Sequence, residues 1–408
     1  MRRSIVLVTV IALTATACGS TAAPAPAPVA SARHDVLYLD RSGPTAIVDA
    51  DSGAERAFLP AGVAMADWSR YWAVQPGGDS TTIGAIDSGT GTAAESFTVN
   101  GRFALPTAYG AAPSGLSANG KWLVLAAAHP NVPAATSRFA VVDLIAGRLS
   151  RTVTATGDFS FDAISDDGRN VYLVEHLGPP TQYRVRVADP GGSGLSETPI
   201  VDVKVASPSM NGAYHSSVTD PSGQWQFGLY FNPTKGPFIH ALNTTQLYAQ
   251  CVLDLPDAGA GVRSMWSMAL APGGGHLYVV NGAAGVVADV GPTSLKVERA
   301  NLHLLLATGA TATTARTPVH AVALSADGSR LYVLGETGIL VIQTADLSLK
   351  ARYLQDAPLR SIALSPDGQR LYALGEDGMV SRLEASTGRP MATMSGNGAI
   401  GLIRVATR

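Results

Sequence analysis

The segment ALSADGSRLYVLG at residues 323–335 returns forty residues later as ALSPDGQRLYALG at 363–375. A unit this short cannot bury an apolar face alone, so a chain that repeats it must stack the copies against one another. The repeat extends along the chain. A turn glycine followed by a strand pattern stands at Gly120, Gly168, Gly223, Gly274, Gly328 and Gly368, at intervals of 40 to 55 residues. A second signal is a strand that ends in a polar residue before a turn, at Asp49, Asp87, Asp143, Asp189, Asn243, Asp289, Gln343 and Glu384. That makes eight occurrences.

Each unit reads as four short runs of alternating or β-branched residues, and the Asp-Gly and Asn-Gly pairs supply the positive φ that tight hairpins need. Helical periodicity is nowhere sustained. Four strands per unit at this period predict an all-β chain folded as a β-propeller of eight blades. Seven blades is the alternative, if the weak unit at 61–99 merges with a neighbour. The first unit, HDVLYLDRSGPTAIVDADSGAERAF, lacks an innermost strand, and the C-terminal GNGAIGLIRVATR is one strand with nothing after it. The last strand should therefore pair into the first blade and close the ring, which removes two open sheet edges.

The segment HLYVVNGAAGVVADV at 276–290, with SADGSRLYVLGETGILVI and SPDGQRLYALGEDGMV after it, resembles the YVTN repeat family. The match covers roughly 262–394 and is weaker over the N-terminal half. The resemblance implies a propeller related to WD-repeat and quinoprotein-type folds. Members of that family include bacterial surface proteins, lactonases and cofactor-carrying propellers, so the motif carries fold and little function.

The N-terminus has a different character. MRRSIVLVTVIALTATAC sets Arg2 and Arg3 before a short apolar run that is below the ~20 residues of a membrane helix, and reads as a secretory signal. Its end resembles the lipobox of bacterial lipoproteins, which implies cleavage at 1–17 and lipidation of Cys18. The Ala-Pro-rich stretch 18–33 has no face to bury and reads as an extended tether. The expectation is one propeller domain over 34–408, lipid-anchored at the outer face of the bacterial cytoplasmic membrane and monomeric. With a net charge of −2 and no long basic run, nucleic acid is a poor partner. Cys251 lies in an alternating strand pattern and reads as a buried small apolar residue.

Chemistry is harder to find. No Gly-x-Ser-x-Gly elbow, His-Glu-x-x-His pair or Walker loop occurs. DADSG at 49–53 lacks the remaining ligands of a calcium loop and recurs as a turn, and the tryptophan-docking repeat of quinone propellers is absent. No metal, cofactor or catalytic residue is assigned. Three stretches, 127–138, 175–184 and 230–238, read as proline-stiffened loops on one face of the ring. Counting eight residues back from each turn glycine reaches Ser160, His215, Trp266, His320 and Arg360, expected as a ring of side chains at the channel mouth. His129, Glu175 and His176 are expected to join them from the loops. Histidines with an arginine beside an aromatic wall suit a small acidic ligand or an acidic partner segment. Binding or scaffolding is the preferred function. A lactonase-like hydrolase is the alternative, and a metal or redox propeller the less favoured one.

Overall fold

The six turn glycines adopt φ between 68° and 75°, the left-handed region that a Cβ disfavours. Each donates its N–H to the carbonyl three residues earlier at 2.8–2.9 Å, as in Gly168 to Ser165 and Gly368 to Ser365. Gly168 has a second reason to be glycine, because a Cβ there would come within 2.3 Å of the Trp122 ring. These turns join the first and second strands of successive four-stranded antiparallel sheets. In this computed structural model, residues 34–106, 114–128, 133–178, 181–188, 194–204, 207, 209–258, 265–304 and 320–407 are described. Among them the regular structure is all strand.

Eight sheets form eight blades. Blade two spans 62–100, three 103–156, four 159–211, five 213–252, six 266–301, seven 322–353 and eight 359–395. The weak unit at 61–99 is thus a blade of its own. Blade one is built from both ends of the propeller. Its innermost strand is Gly401–Thr407, paired antiparallel with Asp35–Asp40, followed outward by Thr45–Asp49 and Glu55–Leu59. The predicted closure is present.

The core is distributed as eight apolar clusters, each shared by two neighbouring blades. Blades five and six, for example, bury Phe227, Leu229 and Ile239 against Trp266, Leu277 and Val279. The Leu-Tyr pair of the repeat adds a polar stitch between blades. Tyr38 donates to the Ser88 carbonyl at 2.8 Å, Tyr172 to Thr244 at 2.9 Å and Tyr332 to Ala385 at 3.0 Å. Each bond runs from the second strand of one blade to the turn after the third strand of the next. A buried hydroxyl that kept its burial but lost its acceptor would cost ~1–3 kcal/mol. At the ring closure the stitch changes form. Tyr372 of blade eight donates to the Asp35 carboxylate at 2.7 Å, Thr407 of the closing strand donates to the same group at 2.9 Å, and Arg370 lies 2.8 Å away as its counter-ion.

Two stretches expected as loops are strand instead. Trp225–Asn232 and Gly236–Asn243 pair up to Asn232↔Gly236, so 230–238 is the tip of a long hairpin. Glu175 and His176 end the strand Val171–His176. In both cases neighbouring strands supply hydrogen-bond partners and burial that local loop composition does not reveal. Cys251 is buried and free, as its pattern indicated.

Deleting residues 398–408 should remove the closing strand, expose two sheet edges and uncover the clusters on either side of blade one. The expected outcome is a large fall in Tm, or failure to fold, by thermal denaturation. An unchanged Tm would contradict closure as the source of the ring's stability.

Candidate functional site

All five equally spaced positions stand at or just before the start of an innermost strand, on the same face of the ring. Their side chains do not share a direction, because the innermost strands carry β-bulges at different places. The ladder shifts between Phe161 and Ala163 in blade four, between Tyr214 and Ser216 in blade five, and between Leu359 and Ser361 in blade eight. The strand Trp266–Leu270 in blade six pairs without a shift. Side chains alternate with a period of two, so one inserted residue reverses every position beyond it.

Trp266 therefore packs into the core between blades five and six at 1% exposure and forms no wall at the mouth. His215 is itself a bulge residue. It is half-buried, its Nε2 lies 2.8 Å from the Trp266 carbonyl and its ring meets Phe231 edge-on. Burial pushes its pKa down against the pull of that carbonyl. Arg360, another bulge residue, is exposed and has no ion-pair partner among the described residues. His320 is exposed with φ of 55°, and its carbonyl accepts from Ile362. Glu175 is taken up by structure: Arg184 contacts it at 2.5 and 2.9 Å and Arg186 at 3.1 Å. Burial raises its pKa, but the two guanidiniums outweigh this and hold the carboxyl below its ordinary value. His129 and Cys18 lie outside the described residues.

Ser160 and His176 are brought together. Their Oγ and Nε2 are 3.1 Å apart, on adjacent strands of blade four. They stand at the rim of a cavity of about 320 Å3 between blades four and five. Its lining includes Phe161, Val174, Tyr183, Tyr214 and Tyr230, with Gly212 and Ala213 at the crossing between the blades. Tyr183 stacks on Tyr230 with centroids 4.8 Å apart, and Tyr214 meets Tyr230 edge-on at 5.4 Å. Behind them, buried His240 accepts or donates at 3.3 Å to the Tyr183 hydroxyl, and burial lowers its pKa to about 4. Burial likewise lowers the pKa of His176, against the nearby Asp158.

The group that the equal-offset count missed is Asp162. It is the bulge residue of blade four, and it lines both this cavity and a larger channel cavity of about 630 Å3. Gln226 of blade five donates to its Oδ1 at 3.0 Å and to its carbonyl at 2.9 Å. Burial pushes the carboxyl up to about 7, with the Gln226 bond opposing. A signal was present in the sequence. Aligned on the turn glycine, Asp162 occupies the position of Val322 and Ile362, an acid where two other repeats put an apolar side chain. A second missed cluster, His276, Asp289 and Glu298, lies within 4.8 Å. There Asp289 already has His276 and Arg299 as partners, and Glu298 accepts from Ser294.

No protein-family model matches the sequence, and neither does any curated protein. The propeller implied by the YVTN resemblance is thus present, without a match to the family itself. The chain is similar in structure to a dihydro-heme d1 dehydrogenase, NirN, solved in complex with DHE. That likeness has a TM-score of 0.51 and 12% identity over 89% of this chain and 73% of that one. It is also similar to apo AztD from Citrobacter koseri, with a TM-score of 0.52 and 11% identity over 92% and 98% of the two chains. A putative 6-phosphogluconolactonase from Bacteroides fragilis aligns over 94% and 100% of the chains at 14% identity and a TM-score of 0.49. At these identities the first two likenesses establish the fold alone.

The raised Asp162 pKa makes a signed prediction. Between the ordinary carboxylate range near 4 and about 7, the folded protein keeps a proton that the unfolded chain has released. The contribution of Asp162 to stability is therefore greatest at low pH and is lost as pH rises through that window. Its carboxyl 13C resonance should titrate with a midpoint near 7. Asp162→Asn should flatten the corresponding part of the stability–pH curve, and an ordinary midpoint would contradict burial as the controlling influence.

Proposed function

We propose that this chain is a lipid-tethered, extracytoplasmic β-propeller that binds a small molecule in the cavity between blades four and five. The observation that carries this reading is the cavity itself. It is formed by strands, walled mainly by aromatic and aliphatic side chains, and has a few convergent polar groups in Ser160, Asp162 and His176. Cysteine lipidation and export are read from the N-terminal segment, and they place the propeller where it meets solutes outside the membrane. The exposed Arg360 and His320 are the remaining candidates for an acidic partner segment at the rim.

A hydrolytic second reading rests on one distance, the 3.1 Å between Ser160 Oγ and His176 Nε2. A neutral imidazole at that distance can accept the proton of a nucleophilic hydroxyl. Glu175 cannot act with them as it stands, because both of its oxygens are engaged by Arg184 and Arg186.

One experiment separates the readings. The protein is titrated with a mixture of small amines, carboxylates, alcohols and lactones and followed by ligand-observed NMR, beside Ala213→Trp, which adds a bulky ring to the lining from an exposed position. Binding that is present in the wild type and lost in Ala213→Trp is the expected result. Binding insensitive to that change would overturn the cavity reading. Lactone turnover abolished by Ser160→Ala would favour the hydrolase instead. For the tether, Cys18→Ala should move the protein from the membrane fraction to the soluble one with its Tm unchanged, and retention after alkaline wash would exclude lipidation there as the anchor.

A further inference from the structure

The cavity between blades four and five has a lopsided charge inventory. Among the described residues its lining contains one carboxylate, Asp162, and no lysine or arginine. Its histidine, His176, is held toward the neutral form by burial. Asp162 sits on a bulge, outside the strand ladder, and its Oδ2 has no hydrogen-bond partner among the described residues. On the side of this cavity its neighbours are neutral, Gln226 and Tyr230 from the second strand of blade five, Tyr214 from its first and Tyr183 from blade four, while the channel cavity on its other side also carries the carboxylates Asp67 and Asp220. An acidic ligand would meet a carboxylate here and no counter-charge.

The apolar part of the lining is largely aromatic. Phe161, Tyr183, Tyr214 and Tyr230 contribute to it; Tyr230 is stacked between Tyr183 and Phe238, so these rings offer an apolar wall for the body of a ligand. The Tyr230 side chain is 2% exposed and its hydroxyl is buried with no hydrogen-bond partner among the described residues.

We propose that the ligand of this cavity is a small organic monocation, an amine or a quaternary ammonium with an apolar body, its charge set against Asp162 and its body against the tyrosines. The proposal rests on the reading of this cavity as the ligand site, and it narrows the chemistry that enters. It also makes binding dependent on pH. A ligand of fixed charge needs Asp162 ionised, so its affinity should rise as pH is raised through about 7. Protonation of His176 at lower pH would act in the same direction.

The test uses the folded full-length protein and three probes of one shape: choline, its neutral carbon isostere dimethylbutanol, and the anionic dimethylbutyrate. Calorimetric titration at pH 8 should give choline at least about tenfold tighter binding than the alcohol, and the carboxylate the weakest. Asp162→Asn should bring choline to the alcohol's affinity and leave the alcohol unchanged. The wild type supplies a second readout that needs no variant. Choline affinity should rise about tenfold from pH 6 to pH 8, as the fraction of ionised Asp162 does, with the alcohol flat. The same rise should persist in His176→Gln. Equal binding of choline and the alcohol, both lost in Ala213→Trp, would overturn the cation inference and leave the cavity reading standing. Tighter binding of dimethylbutyrate would do the same. Failure of all three probes to bind would overturn both.

Discussion

The structure depends on one constraint: no blade has a complete core of its own. Each of the eight apolar clusters is shared between two sheets, so every blade is stable only between two others. An open array would leave two uncovered faces. The chain solves this by placing its last strand, Gly401–Thr407, inside its first blade. The junction is then held at Asp35, a carboxylate 2% exposed that takes hydroxyl bonds from Tyr372 and Thr407 and the charge of Arg370. Removing one partner from a buried charge of this kind is worth ~3–5 kcal/mol, more than an ordinary stitch between blades.

The proposed ligand cavity lies where this regularity is weakest. Blade four ends in a two-residue outer strand, Met210–Asn211, after a segment that departs from the repeat. Within that segment Asp202 is fully buried, accepts from the Cys251 N–H and bridges to the outer strand of blade five. The interface between these two blades is accordingly filled by tyrosines, His240 and a sulfur pair, Cys251 and Met210, in place of the tight aliphatic packing seen between blades six and seven. Tyr183, Tyr214, Tyr230 and Phe238 pack on one another there with centroids 4.8–5.6 Å apart, and the first three also line the cavity.

The bulges carry the rest of the argument. Asp162, His215 and Arg360 are each the extra residue in an innermost strand. A bulge residue is free of the ladder and can project where a regular residue would be paired, which is why such positions gather beside functional surfaces. In blade four the extra residue is an acid facing two cavities, and burial there makes its ionisation responsive near neutral pH.

The sequence by itself determined the propeller, the four-strand unit, the positive-φ glycine turns and the closure by the C-terminal strand, and it favoured eight blades over seven, a choice that the separate sheet at 62–100 decided. All of these follow from local spacing and from the need to cover edges, which a repeat makes visible. It marked Ser160 and His176 as residues of the mouth, and the fold put them 3.1 Å apart. It did not determine which way the equally spaced side chains point, because a bulge is one residue in a ladder and leaves no mark on spacing. Trp266 went into the core and Glu175 into an arginine pair because their partners come from other strands. Asp162 was legible only as an acid at an apolar position of the repeat. That it is half-buried beside an aromatic cavity and has its carboxyl pushed up to about 7 was decided by tertiary packing, since desolvation is a property of what surrounds a group and not of the group itself.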